Sequence, residues 1–368
     1  MKIYSEAEVG SLRDRDLLKD WLAEGLLNDG QYERMQQETP CRLRRTNGFL
    51  RAVLFLFTLV IISAGTGLVF LLFSSGEQGA VEFLLLLSGV ICYGGAEFAV
   101  AKYRLYRYGI EEALAACSVG FVCAGVTHAS RVGMGASVGV VASLWIWRRF
   151  GLWYGFLAAV IFVAFMPMES GVTREMYRVI VASIYAVGLL IFVVVEGKYS
   201  VEEAMLWLGI YGAVNLHLAG QVLASSRTFY WGTFAAIWCL PAVVLWRGAR
   251  RKDRFVMGAG ALMAVVTMAT NKPYLGWARH TWDPMLLGAV LVGIALWARR
   301  WLAAGEGGER RGFTARRMST KDMARLHAGA GVMGMVGPQA VVGNPHGGGT
   351  EMKFGGGDSG GGGASSDF

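Results

Sequence analysis

Of the 368 residues, 54% are hydrophobic and 17% charged, with a mean hydropathy of +0.42, which is more apolar than a soluble domain of this length needs to fill its core. The class is integral membrane. A net charge of +8 comes from 35 Lys and Arg against 27 Asp and Glu, but the basic residues cluster beside apolar runs, so topology explains them and no nucleic-acid partner is expected.

The first 48 residues are mostly polar, with Leu17, Leu18, Trp21, Leu22 and Leu26 at helical spacing. They predict one amphipathic helix broken at Asn28–Gly30 and a second short one around Tyr32–Gln37. Region 1–48 is too small to bury much alone, so it is expected to pack on the membrane surface or on a protein partner. With no apolar segment in this polar stretch, no cleavable signal is expected and the first span must direct insertion.

Region 49–302 is a series of apolar runs, each near the roughly 20 residues that cross about 30 Å of hydrocarbon as a helix. The runs begin near Phe49, Gly79, Gly109, Val132, Phe150, Met176, Val201, Thr228, Phe255 and Trp282, which predicts an all-α, polytopic bundle of about ten spans. With the amino terminus inside, the inner loops carry eleven Lys and Arg and the outer loops six, Arg178 among the latter. Both termini are basic, so both are expected on the cytoplasmic side, which requires an even number of spans.

The stretch RYGIEEAL, Arg107–Leu114, returns as KYSVEEAM, Lys198–Met205. Four expected spans lie between the copies, so both face the cytoplasm: Arg107 and Lys198 as anchors, Tyr108 and Tyr199 as interfacial aromatics, and Glu111, Glu112, Glu202 and Glu203 in a helix first turn. A parallel four-helix internal repeat accounts for the pair, and so do rules common to every helix start. Region 303–368 ends in a glycine- and serine-rich tract, expected to be a flexible cytoplasmic tail or a docking peptide.

The segment LKDWLAEGLLNDGQYERM, Leu18–Met35, with Trp21, Gly25–Leu27 and Gln31 ahead of a ladder of spans, resembles the amino-terminal signature of a bacterial family of multi-pass membrane proteins of unknown function. The tail FGGGDSGGGGASSDF is similar to glycine-rich ends of such families. The resemblance implies a bacterial inner membrane and brings no catalytic residues.

Ionisable groups inside spans are functional candidates by default. The expected helix 201–225 places Glu203, Trp207, Ile210, Val214, His217 and Gln221 on one face, with Asn215 nearby. That stripe serves either a proton or solute path, with His217 titrating near neutrality, or interhelical hydrogen bonding. Glu97 reads as a snorkelling ion pair with Lys102 or as a carboxylate in a buried site. In the last outer loop, Arg279, His280 and Asp283 form a candidate outer-edge site, with His280 and Asp283 spaced to pair. The five cysteines, Cys41, Cys92, Cys117, Cys123 and Cys239, have no CxxC spacing, so neither a disulfide framework nor a metal is expected, nor is a cofactor. Gly135 with Gly139, Gly65 with Gly67, and Gly151 with Gly155 read as close-packing points between helices.

No hydrolase, metalloprotease or nucleotide-binding pattern appears, so catalytic residues are not assigned. The expected function is a non-catalytic membrane scaffold or accessory component. The alternatives are a secondary transporter or channel using the polar face of helix 201–225, and a membrane enzyme at the outer edge acting on lipid or glycan.

Overall fold

The computed structural model describes residues 3–23, 25–73, 78–194, 199–218, 226–277, 280, 282–305, 309–310 and 313–314. Gln221, Arg279 and the glycine-rich tract lie outside the described residues. The chain divides into two compact units, Met1–Ala289 and Val290–Phe368.

Two helices form the head, α1 (Glu6–Ala23) and α2 (Asp29–Glu38). The first helix already ends at Ala23, ahead of Gly25 at φ 73°, and Asn28 instead starts α2: its side chain accepts from the Gln31 amide at 2.8 Å while Gln31 reaches back to the Asn28 amide at 3.1 Å, a reciprocal cap. Among the described residues ten further helices follow: α3 (Gly48–Phe73), α4 (Gln78–Tyr103), α5 (Ile110–Ala129), α6 (Val132–Phe150), α7 (Trp153–Phe165), α8 (Arg174–Val194), α9 (Ser200–Val214), α10 (Arg227–Arg251), α11 (Arg254–Tyr274) and α12 (Asp283–Ala303).

Seven of these, α3, α4, α5, α8, α10, α11 and α12, are long and apolar enough to cross a membrane, which marks a membrane protein. The other three fall outside that class for separate reasons. Glycine, serine and the Arg148–Arg149 pair dilute α6, and α7 and α9 have only 13 and 15 residues. Large apolar side chains stay uncovered on α3, with Leu56 61%, Val60 65% and Leu71 84% exposed, a surface suited to lipid and costly in water.

Consecutive helices pair as hairpins, α4 with α5, α6 with α7, α8 with α9 and α10 with α11. Three apolar clusters run along the chain. Ala96, Val119 and Ile146 join α4, α5 and α6; Phe156, Val181 and Leu206 join α7, α8 and α9; Tyr211, Ile237 and Met263 join α9, α10 and α11. Small residues allow the close approaches. A Cβ at Gly135 would collide with Thr127, one at Gly139 would lie 2.9 Å from the Phe162 ring, and one at Gly155 would lie 3.1 Å from the Ser143 carbonyl. Gly65 and Gly67 have nothing within 4 Å, and Gly151 is the left-handed residue closing α6 at φ 69°, so these three are not packing points.

One end of the Met1–Ala289 unit gathers the basic residues. Arg51 at the start of α3 grips Glu112 of α5, Arg149 at the end of α6 grips Glu97 of α4, and Arg247 near the end of α10 grips Glu203 of α9. The head docks on this same end: the Ile3 amide donates to the Arg149 carbonyl at 3.0 Å, the Tyr4 hydroxyl to the Leu105 carbonyl at 2.9 Å, and Glu8 pairs with Arg104 at 3.2 Å. Burial pushes the Tyr4 phenol far above its ordinary range, which keeps it a donor. Leu17 and Trp21 of α1 remain 48% and 41% exposed, so the stripe read from the sequence is only partly covered.

In the second unit the chain after α12 is not featureless. Glu309–Arg310 pairs antiparallel with Phe313–Thr314, and the Arg310 guanidinium sits 4.9 Å from the Trp301 ring centre.

Candidate functional site

The expected helix 201–225 stops at Val214, and Asn215 is the reason. Its Oδ1 accepts from the backbone amides of His217 at 3.2 Å and Leu218 at 3.3 Å, a local turn that competes with helix continuation. Its Nδ2 donates to the Tyr211 hydroxyl at 3.0 Å and to Thr270 Oγ1 at 3.1 Å, and the residue is fully buried. The Leu216 amide, released from the helix, donates to the Tyr274 hydroxyl at 2.8 Å.

The expectation of one continuous polar face from Glu203 to Gln221 is therefore corrected. Glu203 opens α9, Ile210 in mid-helix belongs to an apolar cluster, and His217 lies beyond the helix end. Twelve residues of mostly helical rise separate Glu203 from Asn215 by roughly 18 Å.

Neighbouring helices complete the pocket around the α9 end. Arg178 of α8 is 5% exposed and donates from Nη1 to the Ala213 carbonyl at 2.9 Å, placing a cation where the helix dipole is negative. Thr267 of α11 bonds the Tyr211 hydroxyl at 2.8 Å and donates to the Ile237 carbonyl at 2.8 Å. That carbonyl needs a foreign donor because Pro241, four residues on in α10, has no amide hydrogen. The Tyr230 hydroxyl donates to the Tyr274 carbonyl at 2.9 Å, so at 3.3 Å it accepts from His217 Nε2, which fixes the proton on that nitrogen. The His217 ring packs edge-on to Tyr274 with centroids 4.3 Å apart.

The other candidates resolve into ion pairs. Glu97 bonds Arg149 through Nε at 2.7 Å and Nη2 at 3.0 Å and accepts from the Tyr93 hydroxyl at 2.8 Å, whereas Lys102 lies over the Phe98 ring, so the expected Glu97–Lys102 pair is replaced. Glu203 receives Arg247 and also Arg251, the latter at 3.3 Å, and Glu202 accepts from Trp147 Nε1 at 2.8 Å. Between α11 and α12 the His280 and Asp283 side chains do not pair. Asp283 binds Lys272 and the His280 backbone amide, and the His280 ring stacks on Trp282. Asp283 is the first residue of α12, and its carboxylate reaches back three residues to that amide. Among the described residues no group of three His, Cys, Asp or Glu could hold a metal.

Tyr211 and Thr267 have no local signal in the sequence, and Thr270 and Tyr274, expected at the start of the last outer loop, lie in α11. Arg178 counted as an outer-loop cation, yet it lies inside α8 on the face shared by Val181, Tyr185 and Leu189, a helical spacing that marks it as inward. Comparisons of the chain with protein-family profiles, with curated proteins and with solved structures return no match, so the resemblance of Leu18–Met35 carries no family assignment.

Proposed function

We propose that the chain crosses the membrane ten times with both ends cytoplasmic, and that it serves as a non-catalytic scaffold or accessory component. One observation carries the functional half: three carboxylates and the Asn215 amide are engaged within the chain, although among the buried atoms of the described residues Glu111 Oε2, Trp207 Nε1 and Arg247 Nη2 have no hydrogen-bond partner. Glu97, Glu112 and Glu203 each hold an arginine, and Asn215 is bonded on both amide atoms. Such groups join helices and leave little to give a substrate.

The threading is supported by the pairs at the basic end: the α3 start meets the α5 start, the α6 end meets the α4 end and the α9 start, and the α10 end meets the α9 start, all of them termini that alternating direction puts on one side. In this reading α7 and α9 cross although short and α6 although less apolar, and the irregular backbone of residues 215–218 is met by side chains of α10 and α11. The parallel repeat would pair α4–α7 with α8–α11, each being two hairpins in succession. The resemblance adds a bacterial inner membrane as the location. The head and tail remain the surfaces for protein partners. Reporter fusions at both termini should read cytoplasmic; opposite compartments for the two ends would overturn the threading.

A transporter is the second reading, favoured by the interruption of α9, since carriers build solute sites at broken helices. Two variants separate the readings. Asn215→Ala should cost about 2–3 kcal/mol, because the Tyr211 and Thr270 hydroxyls and two backbone amides lose a buried partner. His217→Ala should cost about 1 kcal/mol, since it removes a long hydrogen bond to Tyr230 and ring contacts with Tyr230 and Tyr274. Thermal unfolding in detergent reads both. If His217→Ala instead keeps its melting temperature and abolishes a solute or proton flux in proteoliposomes, the scaffold reading gives way to transport.

A further inference from the structure

A cleft of about 710 Å³ opens between α8 and α10, with the last two turns of α9 as its floor. It exists because its walls are built of small residues: Ala182 and Ala186 on α8 face Gly232 and Ala236 on α10, and a Cβ at Gly232 would meet nothing within 4 Å. The rest of the lining sets aliphatic and aromatic side chains, with Ala213 on the floor, beside the small hydroxyl residues Ser183, Ser226, Thr228 and Thr233, and the surface they expose is predominantly apolar, so the space suits a hydrocarbon chain.

Arg178 changes what that chain must carry. Its buried guanidinium lines the cleft one turn into α8, close to the end where α10 starts at Arg227. In the ten-crossing threading, on which this inference rests, that end lies at the outer head-group level. From Arg178 to Ala186 the cleft follows α8 for roughly 12 Å, a depth within one leaflet. A cation at head-group depth above an apolar slot is complementary to an anionic head on an acyl chain, and a guanidinium matches phosphate geometry.

We propose that the α8–α10 cleft binds one anionic phospholipid, with its phosphate at Arg178 and one acyl chain between Ala182, Ala186, Gly232 and Ala236. The occupant is committed by charge and place: the slot opens along the bundle side at outer-leaflet depth, where phospholipid is the abundant amphiphile with a phosphate above a hydrocarbon chain.

The test uses the full chain purified in detergent and titrated with phosphatidylglycerol, with bound lipid counted by native mass spectrometry. Wild type should hold one lipid through delipidating washes. Gly232→Leu places a side chain in open space at a helical position where leucine outranks glycine, so it should fold normally and weaken phosphatidylglycerol binding at least tenfold. Arg178→Lys, which keeps the charge but loses the fork, should weaken it several-fold, and diacylglycerol, lacking the phosphate, should bind no variant. The site is overturned if Gly232→Leu retains lipid as wild type does, if diacylglycerol binds equally, or if lipid stays only at annular stoichiometry. Those outcomes leave the threading intact, because terminal reporter fusions judge it separately.

Discussion

Glu203→Ala is expected to destabilise the protein by about 3–5 kcal/mol, the range for removing one partner of a buried ion pair. Glu203 is 4% exposed and receives two arginines, Arg247 and Arg251, from α10. Alanine leaves their charges in a partly desolvated site at the α9 start, and the lost attraction is much smaller than that residual cost. The Glu203→Leu, Arg247→Leu pair should therefore recover part of the loss, since it removes the more buried of the two arginines and leaves only the more exposed Arg251 without this carboxylate. Chemical or thermal unfolding in one detergent, with wild type and both variants side by side, measures this. A Glu203→Ala protein as stable as wild type would show that water reaches the pair and that the α9–α10 edge is open.

The second large effect is expected at Gly109. Its φ is +109°, a region that side-chain-bearing residues avoid, and an added Cβ would strike the Arg51 carbonyl and come within 3.1 Å of the Phe55 amide on α3. Gly109→Ala should cost about 3 kcal/mol or more, because both the local conformation and the α3–α5 approach must yield. It should also loosen Arg51 from Glu112, which it holds at 2.7 Å through Nε. Ser200 occupies the matching place in the second copy of the motif, and Ser200→Gly should lower the melting temperature only slightly, as a helix-start substitution with no close approach to relieve. Equal losses at the two positions would remove the α3 contact as the cause.

These variants show what the repeated motif does. Both copies start helices, α5 at Ile110 and α9 at Ser200, and both bury their second glutamate against arginine. The partners differ: Arg51 precedes the first copy in the chain, whereas Arg247 follows the second. The first glutamates diverge too, Glu111 accepting from the Tyr108 amide at 2.7 Å and Glu202 from the Trp147 indole.

The sequence by itself determined the helical class, the ten helix starts to within three residues and the apolar exterior, because hydropathy and local caps act over one or two turns. It marked Asn215 and His217 as unusual, because polar groups in an apolar run stand out against their neighbours. Tertiary structure alone decided their use. Asn215 ends α9 only because Thr270, Tyr211 and Tyr274 are placed to receive the freed groups, and Thr267 turns outward from its own helix only because Pro241 leaves the Ile237 carbonyl open. Arg178, Arg149 and Arg247 looked like interchangeable loop cations in the sequence. Which carboxylate or carbonyl each one meets depends on helix packing across long separations, and no local pattern encodes that choice.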